Sequence, residues 1–229
     1  MEISFEEPTI QTIDTPTVKT TEKIYTDERA KVVDISGGSG IIKESDKKPV
    51  TLITDDAIEK IPEIKIPGYT DEQCSFIQRQ HKELLRYSRD NNANNEVAFV
   101  FNGDFSPKSK KIFFGSDDRI DFGQELYGHD IIMMHNHPRN SSFSFSDIVE
   151  FIRNDSIKTM TITKNNGSIE VLTKTGLFVK WDLLKELNTE EKRIHKNRNV
   201  SKTKDDRYRK LVDKFIGKYE QKGVLKWIR

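Results

Sequence analysis

Residues 133–147, MMHNHPRNSSFSFSD, put two histidines one residue apart at the end of an apolar run, with an aspartate ten positions after the second. The run Asp130-Ile131-Ile132-Met133-Met134 predicts a short buried strand, because it is brief, partly β-branched and closed by a turn-rich segment. Side chains alternate along a strand with period two, so His135 and His137 fall on one face and can serve a single ion. Pro138, Arg139, Asn140, Ser141 and Ser142 form a polar loop. Phe145, Ile148, Val149 and Ile152 then recur at helical spacing, which sets Asp147 in a helix's first turn with Ser144 as its cap.

Two neutral imidazoles and one carboxylate give a zinc ion three protein ligands and leave a fourth position open, the pattern of catalytic rather than closed structural sites. Zinc held this way lowers the pKa of a water to about 7 and polarises a carbonyl. The candidate base lies upstream. Glu96 opens the run Glu96-Val97-Ala98-Phe99-Val100-Phe101, and a carboxylate at the start of a core strand costs free energy to desolvate unless it is paired or faces a cleft.

Glu96, His135-Asn136-His137 and Ser144-Phe145-Ser146-Asp147 resemble the JAMM motif of the JAB/MPN metalloproteases, in which a distant Glu precedes H-x-H and then S-x-x-D. The His-Asn-His-Pro form is that of prokaryotic members, among them RadC-like proteins and the JAB domains of phage head proteins and toxins. The resemblance covers roughly residues 69–175. It implies an α/β fold of the cytidine-deaminase-like MPN/JAB kind, a mixed curved sheet with flanking helices. It also implies His135, His137 and Asp147 as zinc ligands, Glu96 as general acid and base, and Ser144 as oxyanion support. In one respect the chain departs from the pattern. The family usually has ten residues between the second His and the Asp, whereas residues 138–146 are nine. Ser144 keeps its distance to Asp147, so the missing residue falls in the loop 138–143, where length changes are tolerated. That bears on substrate contacts more than on the metal.

Taken singly, each residue has a plainer reading. A lone strand histidine packs, Ser144 caps, Glu96 is a surface acid, and Asn136 and Pro138 shape a loop. It is the combination that points to a metal. His-Asn-His also spells the name of the HNH nucleases, but in that family the three residues are scattered over a much longer segment.

At 229 residues the chain can hold one domain with extensions or two small ones. With 34% hydrophobic and 33% charged residues it is more polar than a typical compact domain, so part of it is expected not to pack. Residues 1–66 read as a flexible polar arm and linker: Thr, Glu and Asp without sustained period, the break Ser36-Gly37-Gly38-Ser39-Gly40 between short β-prone runs that could pair as a hairpin, and an extended connector Pro62–Pro67. Residues 67–180 carry the JAB/MPN-like domain. It opens on a helix capped by Thr70 and Gln73, whose apolar face includes His81 as a helix-surface or packing histidine. It closes on two alternating runs, 158–163 and 168–173, joined through Asn165-Asn166-Gly167 as a hairpin with one buried and one solvated face. Only 38 residues lie between Glu96 and His135, so an open cleft is expected, rimmed by the polar segments 102–110 and 116–130. Residues 181–229 read as a basic helical extension, its two helices packed together or on the domain.

The lone Cys74 cannot form an internal disulfide, which fits a reducing compartment. No apolar run is long enough to span a bilayer and residues 1–20 lack the pattern of a secretory leader, so a soluble cytoplasmic protein is expected, or a virion-associated one in a phage setting. The function expected is zinc-dependent cleavage of a peptide or isopeptide bond in a polypeptide or ubiquitin-like substrate. The alternatives are a phage head morphogenesis tail that contacts capsid components, and a toxin domain built on the same fold. Nucleic acid is the less favoured partner for the basic C-terminal helices, since basic solvated helix faces are common without one. No membrane partner is expected.

Overall fold

The computed structural model describes residues 49–106, 109–116, 119–120, 122, 128–196 and 203–229. Six strands, β1 (Val97–Phe101), β2 (Lys111–Phe114), β3 (Ile131–His137), β4 (Ile157–Lys164), β5 (Ile169–Lys174) and β6 (Leu225–Ile228), form one sheet in the order β2-β1-β3-β4-β5-β6. The helices among the described residues are α1 (Asp55–Glu59), α2 (Asp71–Asn91), α3 (Phe145–Arg153), α4 (Lys180–Lys196) and α5 (Lys204–Gln221). β3 and β4 run parallel, and every other neighbouring pair is antiparallel. A parallel pair needs a crossover. Residues 138–156 supply it, and so α3 returns to the sheet directly after the two histidines.

β3 is central, and all seven of its residues are buried. Its odd residues Ile131 and Met133 join a core with Ile148, Phe151 and Ile152 of α3, Leu183 and Leu187 of α4, and Val212, Phe215 and Ile216 of α5. Its even residues Ile132 and Met134 join a second core with Ile58 of α1 and Cys74, Ile77, Leu84 and Leu85 of α2. Cover on both faces is why this strand reads as an unbroken apolar run rather than as an alternation. α2 begins on the expected capping box, with Thr70 Oγ1 accepting from Gln73 N–H and Gln73 Oε1 accepting from Thr70 N–H.

Three expectations give way to the packing. The hairpin 158–173 was to have a solvated face, yet all six residues of β5 and the stretch 159–163 of β4 are buried. Helices lie over both sides of these strands. Residues 49–66 were expected within a flexible arm, but Ile53, Ile58, Ile61 and Ile66 are buried in the α2-side core. The isoleucines, spaced among charged and prolyl residues, turn one apolar side to α2. Surface ion pairs from Glu59 to Lys82 and Arg86 and from Asp55 to Arg89 add little beyond that burial. In residues 181–229, read as helical, the last segment is a strand, while the two helices pack on the domain, one of the two arrangements expected. α4 and α5 close the same core as α3, and β6 lengthens the sheet by pairing with β5. The hairpin expected between residues 32 and 42, and parts of the expected rims, lie outside the described residues. No described helix is long and apolar enough to cross a membrane.

Candidate metal centre

Three donors converge where β3 ends and α3 begins. His135 and His137, two residues apart on a strand, share the face that α3 covers, and their Nε2 atoms are 2.9 Å apart. Asp147 arrives from the other side by helix capping. Ser144 Oγ accepts from Asp147 N–H at 3.1 Å, and Asp147 Oδ2 accepts from Ser144 N–H at 2.6 Å. This reciprocal box fixes the carboxylate's direction. Its Oδ1 lies 3.5 Å from His135 Nε2 and its Oδ2 lies 3.5 Å from His137 Nε2.

The spacing suits a small divalent cation. Tetrahedral zinc with bonds of about 2.0–2.1 Å holds its donors roughly 3.3 Å apart; the imidazole pair sits inside that value, and Asp147 turns one oxygen toward each ring slightly outside it. The outer contacts suit it as well. His137 Nδ1 faces the Ser141 carbonyl at 3.1 Å and Ser141 Oγ at 3.0 Å. Donation of Nδ1–H to that carbonyl leaves the Nε2 lone pair for a metal, the usual arrangement of a ligating histidine. His135 Nδ1 is buried with no hydrogen-bond partner among the described residues.

Charge separates the two imidazoles. Burial lowers the pKa of His135, and Asp147 only partly offsets it. At His137 burial acts the same way, but Asp147, Glu96 and the Ser141 carbonyl outweigh it and the pKa is raised. Burial also opposes ionisation of Asp147, yet the two histidines hold its pKa well below the ordinary carboxylate range. A carboxylate kept ionised beside two imidazoles is ready for a cation.

Glu96 approaches from the neighbouring strand. β1 pairs antiparallel with β3, Ala98 opposite His135, so the same register continued by two residues sets Glu96 opposite His137. Glu96 is 8% exposed, and its charge acts on His137. Its main chain is held from the β2 side: Glu96 N–H donates to Ser116 O and Glu96 O accepts from Gly115 N–H, both at 2.8 Å. Ser144, expected as oxyanion support, sits at the rim, and besides accepting from Asp147 N–H its hydroxyl bonds Ser146 Oγ at 2.9 Å.

The loop after His137 is tied down from three sides. Thr51 N–H donates to Pro138 O at 2.8 Å, and Asn140 Nδ2 donates to Thr51 Oγ1 at 2.8 Å. Ser142 Oγ donates to Glu170 Oε2 at 2.7 Å, an oxygen that also accepts from Trp227 Nε1 at 3.1 Å. Lys164, beside His137 in the parallel ladder, pairs with the other Glu170 oxygen at 2.8 Å. Thr51, Ser141 and Glu170 therefore support the centre although no motif marks them. Asn136 and Asn165 are wholly buried on the opposite face, where the sequence suggests only a loop and a turn. An amide between the two histidines of one strand, and so on the opposite face from them, was the available signal for Asn136. Asn165 was hidden inside an Asn-Gly turn.

Comparison with known protein families, with curated proteins and with solved structures finds no match to this chain.

Proposed function

We propose that this chain is a zinc-dependent hydrolase that cleaves a peptide or isopeptide bond, with the JAMM type of centre on a JAB/MPN-like fold. The observation that carries the reading is the convergence of His135, His137 and Asp147 donors at 2.9–3.5 Å, with the Glu96 carboxylate acting on His137 from β1. The order of parts supports the fold reading: an acid before a central strand, H-x-H at the end of the next strand in the sheet, and an aspartate in the first turn of the crossover helix.

His135, His137 and Asp147 would hold the ion. When bound, zinc supplies a Lewis acid for the scissile carbonyl and brings a water toward ionisation near neutral pH. Glu96 takes a proton on a carboxylate oxygen as the attacking water's oxygen bonds to the carbonyl carbon. The same carboxyl delivers that proton to the leaving nitrogen as the C–N bond breaks, and returns to its ionised state. Ser141 keeps the His137 ring in the ligating tautomer, and Ser144 Oγ, by turning its proton from Ser146, can donate to the carbonyl oxygen.

Glu96→Gln is the direct test. The variant should retain one zinc per chain and lose about 10²–10⁴-fold in turnover of peptide or ubiquitin-tail isopeptide substrates, the usual share of a general base. Unchanged turnover with zinc in place would remove Glu96 as the base.

A further inference from the structure

Asn136 stands between the two histidines in sequence and faces the other side of the sheet. Its side chain is wholly buried, although a buried amide is costly unless its groups are bonded. Oδ1 accepts from Val97 N–H at 2.7 Å. Nδ2 faces Asn165 Oδ1 at 2.8 Å, Asn95 O at 3.2 Å and Ser88 Oγ at 3.2 Å. Ser88 Oγ in turn donates to Asn95 O at 2.7 Å.

Asn95 and Val97 are the residues on either side of Glu96. We infer that Asn136 is a positioning residue for Glu96: its amide holds the main chain before and after the base, and so sets that carboxylate's place beside the paired imidazoles. This rests on the metal-and-base reading above. The β1–β3 ladder ends at the pair Ala98 and His135. Beyond it the amide of Asn136 takes over as the link between the strands. The chain there needs such a link, because Ala93 and Asn94, just before it, sit at φ 49° and 67° in a conformation that non-glycine residues adopt reluctantly. Asn165 completes the arrangement. Its Nδ2 donates to Thr51 O at 2.8 Å and Asn94 O at 3.0 Å, which leaves its Oδ1 to orient the Asn136 amide with oxygen toward Val97. One strand thus carries the ligands on one face and the residue that places the base on the other. A base displaced by about 1 Å is enough to lose on the order of 10²-fold in rate.

The test uses acetohydroxamate and the full zinc-loaded chain. Its oxygens ligate a metal, and the proton it gives up is taken by a nearby base, so its affinity reports where Glu96 sits without any substrate. By titration calorimetry, Glu96→Gln should weaken binding about tenfold, the worth of one charge-assisted hydrogen bond. Asn136→Ala should weaken it by a similar factor with zinc still one per chain, and should weaken it no further in the Glu96→Gln background, because both changes remove the same contact. Ser88→Ala, a milder change, should give a smaller loss that also vanishes in that background, and it serves if Asn136→Ala does not fold. Full additivity of the two losses, or an Asn136→Ala variant that binds like the parent, overturns the inference alone. A parent chain that holds no zinc, or a Glu96→Gln variant that binds acetohydroxamate as the parent does, overturns the site reading and this inference with it.

Discussion

Buried imidazoles stand on both faces of the sheet, and their surroundings are opposite. On the α2 side, His81 meets buried hydroxyls: its Nδ1 bonds Thr163 Oγ1, and Thr159 and Thr161 are also fully buried on β4. Burial drives the pKa of His81 down to about 3, and the ring stays neutral. On the α3 side, His137 is as deeply enclosed, yet Asp147 and Glu96 hold its pKa up. Burial by itself therefore yields a packed, uncharged histidine. A candidate centre needs imidazole lone pairs that converge, with an anion beside them and another within reach.

The contrast can be broken most sharply with metal. His135→Ala should abolish stoichiometric zinc in the chain purified and dialysed at neutral pH, whereas His81→Gln should leave it at one per chain by elemental analysis. Zinc lost in both variants would mean the two regions do not differ in kind.

Acid should reveal the other side. His81 has a folded pKa near 3 against about 6.5 unfolded, so between those values the unfolded chain binds the extra proton. Its contribution is complete above pH 6.5 and is lost as pH falls toward 3, up to about 5 kcal/mol in all. Urea midpoints of the metal-free chain, compared with those of His81→Gln across that range, should diverge on this scale. Parallel curves would place the proton elsewhere.

Smaller effects sharpen the picture. Ser141→Ala removes one of the two groups at His137 Nδ1 and leaves the carbonyl, so zinc affinity should fall about tenfold, the low end for outer partners of a ligating histidine. Competition with a chromogenic chelator would measure it. Thr70→Ala removes the cap of α2, far from the centre, and should lower stability by about 1 kcal/mol in a thermal melt with zinc affinity unchanged.

Much of the centre was legible because its parts are local. The period of β3 puts His135 and His137 on one face, and Ser144 with Asp147 spells a capping box that the structure contains. The partnership of Glu96 with His137 is different. It depends on the β1–β3 register, which nothing in either strand states alone, and here the resemblance supplied what periodicity did not. The misread parts share one cause. Ile53, Ile58, Ile61 and Ile66 look like a linker until α2 is there to cover them, and Leu225-Lys226-Trp227-Ile228 becomes a strand only beside β5. β3 itself runs on through His135-Asn136-His137, because the polar letters have partners on the two faces that no apolar pattern shows.

The most direct measurement is zinc K-edge X-ray absorption of the purified full chain at neutral pH. It should show about one zinc per chain in a first shell of nitrogen and oxygen at about 2.0–2.1 Å, with imidazole scattering from two rings that falls away in His135→Ala. A sulfur shell, a shell without imidazole, or no bound zinc at all would contradict a centre built from His135, His137 and Asp147.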